Sequence, residues 1–145
     1  MDQISVAAEW HKHAVPNPTD KNKCIALGVH FEEIAEMFES LGINSQAENM
    51  HSVASAFKSC STASMVTASK ANLLPLLDSI IDQNVTSVGI SNAYGFDHLG
   101  ALKEVNDSNH SKFEDGKAVF NDQGKITKGK NYRKPELDKF INQGD

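Results

Sequence analysis

Apolar side chains recur along this chain in steps of three and four, a spacing that predicts helices almost throughout. The clearest stripe is Leu27, Phe31, Ile34, Phe38 and Leu41. Residues so spaced share one helix face, with Thr19 or Asp20 as N-terminal cap and Gly42 as C-terminal cap. Upstream, Ile4, Ala7, Ala8 and Trp10 predict a helix over residues 3–13, stopped by Pro16 and Pro18. Trp10 reads as a core anchor. Ala47, Met50, Val53, Ala54 and Phe57 mark a weaker helix over residues 45–60, and the Ser/Thr/Ala-rich residues 59–69 read as a loop or a loose helix end. Leu73, Leu77, Ile80, Ile81, Val85 and Val88 predict a long helix that tolerates Pro75 only in its first turn and is weakened or ended by Gly89 and Gly95. Phe96 to about His110 forms a further helix with Leu99, Leu102 and Val105 inward.

Beyond Ser111 the texture changes. Glycines punctuate short stretches, Asp122-Gln123-Gly124-Lys125 predicts a hairpin turn, and Pro135 starts a last short helix carrying Leu137, Phe140 and Ile141. The expected architecture is all-α: a four- to five-helix bundle forming a single domain over residues 1–145, with an irregular basic C-terminal tail.

Composition narrows the function. An apolar content of 39% suffices for one core, completed by oligomerisation. No run approaches a membrane span and no secretion signal opens the chain, so a cytosolic protein without a membrane partner is expected. In that setting Cys24 and Cys60 read as reduced, buried small hydrophobes. The net charge of −5 argues against duplex nucleic acid as the partner. Its distribution is uneven: residues 112–134 hold seven Lys/Arg against three Asp/Glu. An acidic body with a basic tail suits a metal site with an anion clamp, although solvated surface lysines give the same count.

Five carboxylates stand inside the apolar repeats, in Glu32-Glu33-Ile34-Ala35-Glu36 and in Asp78-Ser79-Ile80-Ile81-Asp82. Helix neighbours three or four apart meet, so Glu33 converges with Glu36 and Asp78 with Asp82. Two such pairs face to face would form an all-oxygen cage for a hard divalent cation. Acid pairs at helical spacing are also common on solvated faces. Asp82, flanked by Ile80, Ile81 and Val85, is expected to be buried and to need a partner.

The C-terminal third carries the most specific pattern. Glu104-Val105-Asn106-Asp107-Ser108-Asn109-His110-Ser111-Lys112 precedes Asp115-Gly116-Lys117, then Gly124-Lys125-Ile126-Thr127-Lys128-Gly129-Lys130-Asn131-Tyr132 and Pro135. This resembles the signature of the MazG-like, phosphoribosyl-ATP-pyrophosphohydrolase-like group of all-α nucleoside triphosphate pyrophosphohydrolases. There a stretch like EVHxSNMSK is followed by DGK and then GKxxKGxNYxxP. The resemblance covers nearly the whole chain: a Trp/His helix with a Val-Pro turn, EExxE, a DxxxD helix, a Gly and Tyr94-Gly95-Phe96-Asp97 occur in the group's order. The sequence departs from it in four places: Ser79 where the superfamily has Glu, and Asn106, Asp107 and His110 within the signature.

The resemblance implies a helical fold that dimerises, or forms a dimer of dimers, and Mg²⁺-dependent hydrolysis of a nucleoside triphosphate, a deoxynucleotide being favoured, to a monophosphate and pyrophosphate. Mn²⁺ would be a substitute ion, and the role would be nucleotide-pool housekeeping or phage nucleotide metabolism. It implies Glu33, Glu36, Asp78 and Asp82 as metal ligands. Glu32 and Glu33 are implied in catalysis, Glu32 as a further ligand or as the base that orients water. Asn109, Lys112, Lys128, Lys130 and Tyr132 are implied as substrate contacts, chiefly with the phosphates.

Two alternatives stand beside it. Glu48-Asn49-Met50-His51 has the ExxH spacing of di-iron bundles, but no second ExxH exists. A non-catalytic nucleotide-binding or oligomerisation module of the same fold is the other, and the altered Asn106–His110 element is its best support.

Overall fold

Short polar side chains set several helix starts. In the computed structural model, which describes residues 1–141, Asp2 accepts from Ser5 N at 2.9 Å and opens α1 (Gln3–Ala14). Thr19 and Asn22 form a reciprocal capping box at the start of α2 (Asp20–Ser40). α3 follows at Asn44–Lys58. The segment expected as a loop or a loose helix end forms a separate helix, α4 (Thr62–Ser69), capped by Ser61, whose hydroxyl accepts from Ser64 N at 3.2 Å. α5 (Leu73–Ala93) runs straight through Gly89, with Pro75 in its first turn. α6 (His98–His110) begins with Asp97 accepting from Gly100 N at 3.0 Å. A single 3₁₀ turn, Asp138–Phe140, stands where a last short helix was expected. Among the described residues there is no strand, only isolated bridges, so the fold is all-helical.

The chain divides into two compact units. One comprises Asn17–Ala71 and Phe120–Lys125. Its centre is the α2–α3 pair, and small residues let the two backbones touch. A methyl group on Gly28 would stand 2.6 Å from Lys58 N and 2.9 Å from Ala54 O. Cys24, Ala35, Ala47 and Ala54 are buried along the same contact, and Phe31 meets Phe57 edge to face at 5.4 Å. The large residues of the predicted α2 stripe are therefore only half-buried, and Leu41 is exposed. The 120–125 segment forms the expected turn without a strand ladder: Asn121 Oδ1 accepts from Gln123 N and Lys125 N at 3.0 and 2.9 Å.

The other unit comprises Met1–Pro16, Asn72–Val119 and the chain from Ile126 onward. Trp10 is its anchor, as expected: it is buried, stacks on Phe113 at 5.4 Å, and its Nε1 donates to Asn109 O at 3.0 Å. One expectation fails here in part. α6 turns polar residues inward, with Glu104, Asn106 and Ser108 buried while Leu99 is 71% exposed. On α5 no residue is buried, and Leu73, Leu74, Leu77, Ile80, Ile81, Val85, Val88 and Ile90 are all exposed. The α5 stripe is open to solvent in the single chain.

Gly28→Ala should test the helix contact. Forcing a methyl against backbone is expected to cost about 1–3 kcal/mol, read as a lower urea midpoint. An unchanged midpoint would mean that the α2 and α3 backbones stand further apart.

Candidate functional site

Glu32 lies four residues after Gly28 and three before Ala35, so its side chain is on the α2 face that meets α3. Two lysines neutralise it there. Lys58, from the end of α3, donates to Oε1, and Lys125 Nζ, from the 121–125 turn, donates to Oε2 at 2.9 Å. Partial burial pushes the Glu32 carboxyl up, but the hydrogen bonds and charges of Lys58 and Lys125 outweigh it and hold the group below the ordinary glutamate value. A carboxylate so clamped is a weak proton acceptor. It works as a charge hub that fixes two lysines.

Glu33 and Glu36 stand next to this hub on α2 and are exposed, one helical turn apart. Asp78 and Asp82 belong to the other unit, on α5, and are likewise exposed one turn apart. The expectation that Asp82 is a buried acid is therefore corrected: the apolar residues around it are themselves uncovered. Each pair offers carboxylate oxygens of the type that a hard cation takes. Among the described residues of one chain, no group of three or more His, Cys, Asp or Glu is placed to hold a metal ion.

The basic tail is organised by α6. Glu104 Oε1 accepts from the Arg133 guanidinium at 2.5 Å and from Glu136 N at 3.0 Å, and Lys139 Nζ lies 3.7 Å from Oε2. Ser108 donates its hydroxyl to Arg133 O at 2.7 Å, and Ser111 Oγ accepts from Arg133 N at 2.8 Å. Asn106 Nδ2 reaches across to Gln3, donating to its carbonyl oxygen at 2.9 Å. The signature residues on α6 thus work as a latch. The Glu136 amide, then Arg133, hold the Glu104 carboxyl at about 2, against 4.5 ordinarily.

The expected phosphate contacts all fall on this unit, and the structure brings their two segments together. Asn109 and Lys112 lie at and just beyond the C-terminal end of α6. Gly129 is pressed against Lys112 O and the Glu114 side chain, where a Cβ would sit 2.7 Å from each. Glu114 Oε1 also accepts from Lys130 N at 2.6 Å. Lys128 lies over the Tyr132 ring at 4.8 Å, and Lys128 and Lys130 are exposed. Glu104, Ser108, Arg133, Lys58 and Lys125 went unassigned from sequence. For the latch a signal existed, because Glu104, Ser108 and Ser111 recur at helical spacing on one face.

No family model, curated protein or solved structure matches this chain.

The latch predicts a pH dependence. Because the Glu104 carboxyl is lowered on folding, its contribution is present above about 4.5 and is lost as pH falls toward about 2. The urea midpoint of the wild type should therefore fall more steeply over that window than that of Glu104→Gln, which should be the weaker protein at neutral pH. Parallel profiles would show that Glu104 carries no such linkage.

Proposed function

We propose that this protein is a Mg²⁺-dependent nucleoside triphosphate pyrophosphohydrolase, acting on deoxynucleotides by preference, that works as a self-associated assembly. The observation that carries this is the C-terminal signature, resembling that of MazG-like enzymes, together with the meeting of its Lys112 and Gly129 elements. The exposed carboxylate pairs on α2 and α5 supply the complementary chemistry.

Glu33 and Glu36 on α2, and Asp78 and Asp82 on α5, are the proposed Mg²⁺ ligands; a bound ion would acidify water and screen phosphate charge. Water ordered by a carboxylate attacks the α-phosphorus in line. A new oxygen–phosphorus bond forms as the bridge to the β-phosphate breaks, giving a monophosphate and pyrophosphate. Glu32, whose carboxylate Lys58 and Lys125 hold in place, and the adjacent Glu33 are the proposed groups that order the water. Lys112, Lys128 and Lys130 offset charge on the leaving pyrophosphate, and Asn109 and Tyr132 donate hydrogen bonds to it.

Self-association is supported by α5. Complete burial of a Leu or Ile side chain is worth up to about 1.5–3 kcal/mol, and eight large apolar residues are partly or largely exposed on this one helix. A second copy is the proposed cover, giving a dimer or a dimer of dimers. It would also enclose Asp78 and Asp82.

Glu33→Gln and Asp82→Asn are expected to reduce pyrophosphate release from deoxynucleoside triphosphates by at least about 10²-fold, and chelating Mg²⁺ should abolish it. Full activity in either variant would reject the assignment. Nucleotide binding without turnover by the wild type would instead favour a non-catalytic module. Light scattering should give the wild type a mass of at least two chains, with Ile81→Glu shifted toward one. A wild-type monomer at tens of micromolar would contradict the proposed role of α5.

A further inference from the structure

The two cysteines lie 36 positions apart in sequence yet meet in the α2–α3 unit. Cys24 sits one turn before Gly28 on α2 and is 0% exposed. Cys60 follows the end of α3 and is half-buried. The backbone contact of Gly28 with Ala54 and Lys58 draws these two places together. The Cys60 thiol rests on the first turn of α2, donating to Lys21 O at 3.8 Å, one turn before Cys24, and the nearby Cys60 thiol adds to the burial that raises the Cys24 thiol. Cys60 also has φ +53°, a left-handed conformation that residues with a Cβ disfavour. It is held there because Cys60 N donates to Phe57 O at 3.0 Å and Ser61 N to Ala56 O at 3.1 Å. Packing at Gly28 and at the end of α3 thus places Cys60 beside the turn of α2 that carries Cys24.

We propose that Cys24 and Cys60 are a redox-responsive pair, closed to an intrachain disulfide by small-molecule disulfides and reopened by small thiols. Cys60, the more accessible, reacts first. Its thiolate forms a bond to one sulfur of the oxidant, the oxidant's S–S bond breaks, and one thiol departs. The Cys24 thiolate then attacks the Cys60 sulfur and the second thiol departs. The two cysteine protons leave on the two thiols, so the oxidant gains the two electrons that the cysteines lose. Burial, chiefly, pushes the Cys24 thiol up, which makes the second step the slower one. The bridge would staple the start of α2 to the end of α3, across the hairpin that carries Glu32, Glu33 and Glu36. Nothing in this depends on the proposed hydrolysis.

The full chain, incubated with oxidised glutathione and then alkylated, gives the test by intact mass and non-reducing peptide mapping. The expected wild-type product has lost two hydrogens, resists alkylation at both cysteines, yields a linked Cys24–Cys60 peptide pair, and reverts with dithiothreitol. Cys24→Ser should stop at a glutathione adduct on Cys60, and Cys60→Ser should leave Cys24 unmodified. Alkylation of both wild-type thiols after the same exposure would overturn the proposal. So would a stable glutathione adduct on Cys60, or a bridge formed only between copies. The decisive readouts are on the wild type, so they stand even where a variant folds poorly.

Discussion

The apolar surface of α5 is the constraint on which the rest depends. A helix this rich in Leu, Ile and Val is stable in water only when most of that surface is covered, yet no residue of α5 is buried by its own chain. Asp78 and Asp82 sit on this helix, so whatever covers it also decides the surroundings of half of the proposed metal ligands. That couples assembly to chemistry. A carboxylate pair on an open face is hydrated and ordinary; enclosed among apolar side chains, it needs a cation.

Two glutamates with charged partners within the chain organise residues of the C-terminal segment. Glu32 holds Lys58 and Lys125 on one unit; Glu104 holds Arg133 and the Glu136 amide on the other. Both are ionised acids that spend their charge on positioning C-terminal residues. Lys125 and Arg133 are thereby fixed, while Lys128 and Lys130 remain exposed between them.

The helices were legible in the sequence wherever a periodic stripe and a cap coincided, as at Thr19 and α2. α4 was missed because its eight residues are too few for a stripe, although Ser61 was a cap in plain sight. The inward face of α6 was misjudged because hydrophobic spacing ignores polar partners that arrive from far along the chain; Arg133 is 29 residues from Glu104. The α5 stripe was recognised, but periodicity says which residues seek cover and not whether the same chain provides it. The same blindness led to a buried Asp82. The partners of Glu32 are not legible in the sequence because Lys58 and Lys125 are 26 and 93 residues away. The residues expected at the phosphates rest on motif order rather than spacing, and the approach of Gly129 to Lys112 is visible only in the folded chain.

The most direct measurement is the fate of solvent oxygen during turnover. Wild-type protein, Mg²⁺ and a deoxynucleoside triphosphate in water enriched in heavy oxygen should give a labelled monophosphate and unlabelled pyrophosphate, resolved by phosphorus NMR. Label in inorganic phosphate, or no pyrophosphate from any nucleotide offered, would contradict the account.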